Sequence, residues 1–138
     1  MEIFLDTASV KEIKEILPWG LISGVTTNQK IFLAEKGCNF KERVMEILSL
    51  VDGPLSVELT KTDKSDDELI AEALEYSSWN PKNVTIKVPM FGDGRGLRIV
   101  SQLRKLNVKT NMTALISTNQ VMLAAKAGAT YASIFFNR

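Results

Sequence analysis

Val84-Thr85-Ile86-Lys87-Val88 is the stretch on which the reading of this chain turns. It has the β-branched, apolar character of a buried strand, yet it carries a lysine. In a parallel sheet covered on both faces, strands read as near-continuous Val, Ile and Leu. Here Thr85 and Lys87 interrupt the run two residues apart, and side chains two apart point the same way. One face of the strand is therefore apolar and the other offers polar groups.

Neighbouring segments repeat the pattern. Glu58 lies between Val57 and Leu59, with Ser56 on its side. Asn111 shares a face with Thr113, and Ser133 with Phe135. Asp6 ends a strand begun by Ile3-Phe4-Leu5, and Thr26-Thr27-Asn28 ends one running from Leu21 to Val25. With strands at 55–59, 84–88, 108–114 and 131–136, this makes six.

Helical patterns alternate with them. Ser9 with Glu12, and Ser65 with Glu68, carry the spacing of a capping box. A helix near Asn39 is marked by Glu42 three residues on. The helix after Ser65 is expected to bury Leu69, Ile70, Ala73 and Leu74. A helix through Leu97, Val100 and Leu103 follows the Gly92–Gly96 stretch, and the one around 120–126 ends at Gly128, the usual C-terminal place for glycine.

Strand–helix alternation fits an open doubly wound sheet or a (β/α)8 barrel. In a barrel the polar groups would gather at the C-terminal ends of the strands, where barrel active sites lie. A barrel takes about 200 residues or more, against 138 in a chain expected to form one domain. The barrel reading thus implies a truncated barrel.

Composition narrows the chemistry. There is no histidine, so acid–base work falls to Asp, Glu, Lys or Tyr. The net charge of +1 gives no overall pull toward nucleic acid or an anionic membrane. No run approaches the ~20 apolar residues of a membrane span. A single cysteine, Cys38, allows no internal disulfide, fits a reducing cytoplasm and reads as non-catalytic. Sequons at Asn83 and Asn111 fall in strands and are not expected to carry glycan.

Lys87 has two readings. Burial would favour the neutral amine and make it a nucleophile. Alternatively it forms a structural ion pair with Glu58 or Asp6. The Gly92-Asp93-Gly94-Arg95-Gly96 stretch matches no nucleotide-binding pattern and reads as a loop. Lys82, Arg95, Arg98, Arg104, Lys105 and Lys109 read as a solvated face, and Trp19 and Trp79 as packing residues.

Six motifs in order, Phe4-Leu5-Asp6-Thr7, Gly24-Val25-Thr26-Thr27-Asn28, Ser56-Val57-Glu58, Ile86-Lys87-Val88-Pro89-Met90, Lys109-Thr110-Asn111-Met112-Thr113 and Ala124-Ala125-Lys126-Ala127-Gly128-Ala129-Thr130-Tyr131, resemble the transaldolase family. More narrowly they resemble its small-subunit branch, which also contains fructose-6-phosphate aldolases. The resemblance runs from end to end.

It implies a (β/α)8 barrel of the class I aldolase type, here about six strand–helix units. The activity implied is cofactor-independent and needs no metal. A dihydroxyacetone unit passes between sugar phosphates of the pentose phosphate pathway, fructose 6-phosphate and sedoheptulose 7-phosphate. Lys87 would form the Schiff base and Asp6 would take the proton from the hydroxyl on the leaving side. Glu58 and Thr113 would hold the relaying water. Thr26, Asn28 and Asn111 would contact substrate, Ser133 and Phe135 would line the pocket, and Arg138 would lend charge to the phosphate. A homo-oligomer is also implied.

Glu58 and Phe135 match transaldolases, whereas the aldolases of the family carry glutamine and tyrosine there. Three departures stand out. The family reads Asn-Pro where this chain has Asn28-Gln29, and Ser-Pro-Phe-Val-Gly-Arg where it has Ser133-Ile134-Phe135-Phe136-Asn137-Arg138; the loop after Met90 is longer. The last two units of the family barrel do not appear, so the expectation is a portion of a longer enzyme or a relative without turnover. Two rival readings remain: an aldolase, and a truncated barrel that acts only by assembling with other copies.

Overall fold

The computed structural model describes residues 1–34, 37, 39–60 and 63–136. Arg138, Asn137 and Cys38 lie outside them, and with them the reading of Arg138 as a phosphate contact and of Cys38 as non-catalytic.

Among the described residues six strands form one sheet in the order 1-2-3-4-5-6, every pairing parallel. They are β1 (Phe4–Asp6), β2 (Gly24–Thr26), β3 (Leu55–Glu58), β4 (Val84–Pro89), β5 (Thr110–Leu115) and β6 (Tyr131–Ile134). The helices are α1 (Val10–Ile16), α2 (Gln29–Ala34), α3 (Phe40–Leu50), α4 (Asp66–Trp79), α5 (Arg95–Lys105) and α6 (Thr118–Ala127), with a 3-10 turn at Leu17–Trp19. A doubly wound sheet reverses strand order at a switch point. This one does not. The unreversed order, curled with helices outside, is that of an incomplete (β/α)8 barrel.

Leu55, Val57, Val84, Ile86, Val88 and Met112 are fully buried, together with Ile47, Leu69, Ile99 and Leu103 of the helices. Each such side chain contributes roughly 1.5–3 kcal/mol when fully removed from water. The opposite, concave face carries the polar residues. Phe4 and Tyr131, on the two edge strands, meet there edge to face, with ring centroids 5.5 Å apart.

Ser65 and Glu68 form the expected capping box. Asn39 caps α3, and Gly128, at φ 94°, ends α6. Ser9 caps α1, but Glu12 does not reach back to close the box: its carboxylate accepts from the Thr7 hydroxyl at 2.5 Å.

Other expectations are corrected. α2, six residues directly after Asn28, is not among the helices expected from the sequence. α4 buries Leu69, Glu72, Ala73 and Tyr76, while Leu74 is exposed. The buried face is turned because the Glu72 carboxylate finds donors inside. Arg95 is not part of a solvated face; it pairs with Asp66 at 2.5 Å and lies over the Phe91 ring. Trp79 packs with Phe40 and Tyr76, but Trp19 stands largely in solvent. No helix among the described residues is long and apolar enough to cross a membrane.

Candidate active site

Backbone pairing sets which concave-face residues stand side by side. Asp6 is the Cα partner of Thr26, and Thr26 of Ser56. One level further along the strands, Glu58 partners Lys87, and Lys87 partners Asn111. The lysine therefore sits between a carboxylate on one neighbouring strand and a carboxamide on the other.

The C-terminal ends of the strands open on a cleft of about 460 Å3 lined by Asp6, Asn28, Gln29, Lys30, Glu58, Lys87, Pro89, Thr113, Ala114 and Phe135. Lys87 is half-buried rather than sealed in a dry interior. It stands where the concave face meets the cleft. Its Nζ donates to the Thr27 carbonyl oxygen at 3.1 Å, reaching past β3 to the turn after β2. Among the described residues no carboxylate forms an ion pair with it, so the pairing with Glu58 or Asp6 weighed from sequence is not formed.

Asp6 is exposed, and its Oδ1 accepts from the Thr26 hydroxyl at 2.8 Å. Glu58 is half-buried, and its Oε2 accepts from the Gln29 backbone N–H at 3.2 Å. Asn28 caps α2, its Oδ1 accepting from Ile31 N–H at 3.0 Å. Two of the four N–H groups that a helix start leaves unsatisfied are thus taken up by side chains of the cleft.

Thr113 and Ala114 both line the cleft, although consecutive strand residues normally face opposite ways. An irregularity between Met112 and Leu115 explains this: Ala114 sits at φ 60°, in the left-handed region. Bulges of this kind re-aim side chains beside functional sites. Nothing in the local sequence signals it, since alanine gains nothing from a positive φ.

The remaining expected residues lie deeper. Thr26, Asn111 and Ser133 line a separate cavity of about 190 Å3 with Phe4, Tyr131 and Ala132. Asn111 is buried, donating to Ser56 Oγ at 3.1 Å and accepting from Ser133 Oγ at 2.8 Å. It ties β3, β5 and β6 together beneath the lysine. The structure thus gathers Asp6, Asn28, Glu58, Lys87, Thr113 and Phe135 around the cleft and sets Thr26, Asn111 and Ser133 below it.

Lys30, Pro89 and Ala114 were not anticipated in the cleft, and Gln29 entered the sequence reading only as a departure. Gln29 and Lys30 come with α2, Ala114 with the β5 irregularity, and Pro89 lies two residues beyond Lys87 on the same face of β4. Two amines, two carboxylates, two carboxamides and a hydroxyl around one opening can carry out carbonyl addition and proton transfer without a histidine.

A sequence model described as Transaldolase/Fructose-6-phosphate aldolase matches residues 3–138 of this chain. A protein of Carboxydothermus hydrogenoformans named "Probable transaldolase" is 49% identical over 138 residues, covering 100% of this chain and 62% of that protein. Proteins of the same name from Clostridium tetani and Caldicellulosiruptor saccharolyticus are 46% and 48% identical over the whole chain, which covers 62% and 61% of them. The chain thus spans about three fifths of the length of these relatives.

Proposed function

The chain belongs to the transaldolase/fructose-6-phosphate aldolase family, and we propose that its cleft serves transfer of a dihydroxyacetone unit from a ketose phosphate to an aldose phosphate through a Schiff base on Lys87. The observation that carries this reading is the flanking of Lys87 by Glu58 and Asn111 in strand register, with its amine at the cleft.

In this reading the free amine of Lys87 adds to the ketone carbon of fructose 6-phosphate or sedoheptulose 7-phosphate. The carbinolamine loses water to give an iminium. Glu58 and Thr113 hold the water that carries protons during that loss. Asp6 removes the proton from the hydroxyl on the leaving side, the adjacent carbon–carbon bond breaks, and its electron pair moves into the iminium to leave an enamine. The aldose phosphate departs. The enamine then attacks an acceptor aldehyde, and water releases the new ketose phosphate and the lysine.

The iminium serves as the electron sink. Asn28 orients sugar hydroxyls at the rim. Asn111, with Thr26 and Ser133, supports the bound three-carbon unit from below. Phe135 offers no hydroxyl to protonate that unit, so it waits for an acceptor. This last point favours transferase over aldolase. On this reading the protein acts in the cytoplasmic pentose phosphate pathway, and sedimentation would test its assembly as a homo-oligomer.

Incubation of the full-length protein with fructose 6-phosphate and borohydride tests the Schiff base. A stable adduct mapped to Lys87 is expected, and its absence would end the proposal. Release of dihydroxyacetone without an acceptor aldose would make the protein an aldolase instead.

A further inference from the structure

We infer that Gln29 is a positioning residue for Glu58, tying the turn after β2 to the end of β3 by two hydrogen bonds. The inference rests on the role proposed for Glu58. Gln29 opens α2 directly after the capping residue Asn28, so its backbone N–H belongs to those without an acceptor inside the helix. That N–H donates to Glu58 Oε2 at 3.2 Å. The side chain of the same residue donates through Nε2 to the carbonyl oxygen of Leu59 at 2.7 Å. One contact falls on the carboxylate and the other on the main chain one residue later. Together they hold Glu58 from two sides.

No other donor reaches the Glu58 carboxylate among the described residues. The Thr27 carbonyl oxygen that accepts from Lys87 Nζ lies in the same turn. A single short segment, residues 27–29, therefore touches both members of the Glu58–Lys87 pair. In this chain the turn is stiffened by its attachment to the carboxylate. A glutamate swinging free would spend part of its time away from the water it is proposed to hold, and turnover would fall while substrate affinity stayed.

Two Gln29 variants of the full-length protein, alone and in a Glu58→Leu background, test this, read by steady-state turnover and by the rate of borohydride-trapped adduct formation with fructose 6-phosphate. Gln29→Pro removes both donors, and proline is well accepted at a first helical position. It should lower kcat about tenfold, the scale of a lost hydrogen bond to a charged group, with KM within about twofold and the melting temperature preserved. Gln29→Ala keeps the N–H and should lower kcat about threefold.

In a Glu58→Leu background, which removes the acceptor, either change should slow adduct formation far less than in wild type. Should Gln29→Pro not fold, Gln29→Ala carries the same cycle. Wild-type kcat in the Gln29 variants, or losses that multiply independently of Glu58, would overturn the inference and leave the Schiff base standing. A wild-type protein that traps no adduct would overturn both.

Discussion

Phe4 and Tyr131 belong to the first and last strands of the sheet, yet their rings meet at 5.5 Å and an interplanar angle of 70°. Strands at opposite edges of a flat six-stranded sheet would lie roughly 24 Å apart. This one contact therefore records how far the sheet has curled. It also places an aromatic floor beneath Asn111 and Ser133, with which both rings share a cavity.

The pair should be energetically coupled. Phe4→Ala and Tyr131→Ala should each destabilise the fold, and together they should cost less than the sum of the two by about 0.5–1.5 kcal/mol. Urea unfolding of the four proteins in the cycle measures it. Simple additivity would mean that curvature is held by the backbone ladder alone.

Glu72 is a buried carboxylate that sequence periodicity did not place inside. Its Oε1 accepts from the Thr60 N–H at 2.9 Å, the Thr60 hydroxyl at 2.5 Å and the Tyr76 hydroxyl at 2.7 Å, while Lys64 Nζ lies 3.3 Å from Oε2. Burial pushes this carboxyl up, but the hydrogen bonds from Thr60, Tyr76 and Lys64 outweigh it and hold it below its ordinary value. Burial likewise pushes the Tyr76 hydroxyl up, reinforced by Glu72.

A depressed folded-state pKa means that the unfolded chain binds the proton first. The stabilisation is therefore complete above the unfolded value, about pH 4.3 for glutamate, and is lost as pH falls through the folded one. Glu72→Ala should cost about 2 kcal/mol at pH 7, and the gap to wild type should narrow below pH ~4. Tyr76→Phe should cost about 1 kcal/mol. Denaturation at pH 7 and at acid pH decides both; a gap independent of pH would refute the ionised-acceptor account.

Gly96 sits in the first turn of α5 where the helix presses on the end of β4. A side chain there would drive into the Pro89 carbonyl oxygen and come within 2.8 Å of the Met90 carbonyl oxygen. Those atoms are backbone and cannot turn aside. Gly96→Ala should therefore destabilise by about 1–3 kcal/mol despite alanine's better helix propensity. Because β4 carries Lys87, adduct formation should slow as well. Gly92→Ala, where nothing stands within 4 Å, is the control that should leave stability nearly unchanged.

Asn111 donates to Ser56 and accepts from Ser133 in a buried position. Asn111→Leu leaves two hydroxyls without that partner and should cost about 2 kcal/mol or more. Asn111→Asp keeps the acceptor and loses the donor, so it should fall between leucine and wild type. Thermal melting orders the three proteins.

Much of the fold is legible along the chain because strand direction is a local property. Glu58, Lys87, Asn111 and Thr113 could be assigned to one face from their spacing alone, and the capping box at Ser65 and Glu68 is written within four residues. α2 escaped because it is short and follows directly on Thr27-Asn28, where the cap reads equally well as a turn. Glu72 escaped because its donors come from residues 60 and 64 and from one turn further along its own helix, and apolar periodicity does not register them.

Side-chain alternation is set by each residue's own backbone, so the primary structure was sufficient to divide β3 and β4 into an apolar and a polar face and to place the lysine on the polar one. The partners of those polar groups were decided elsewhere. Register across the sheet puts Glu58 beside Lys87, curvature brings Phe4 to Tyr131, the left-handed Ala114 turns a second β5 residue into the cleft, and the fold of residues 27–29 sets donors and acceptors against both the amine and the carboxylate. Each of these depends on distances between segments tens of residues apart, which only the packed chain defines.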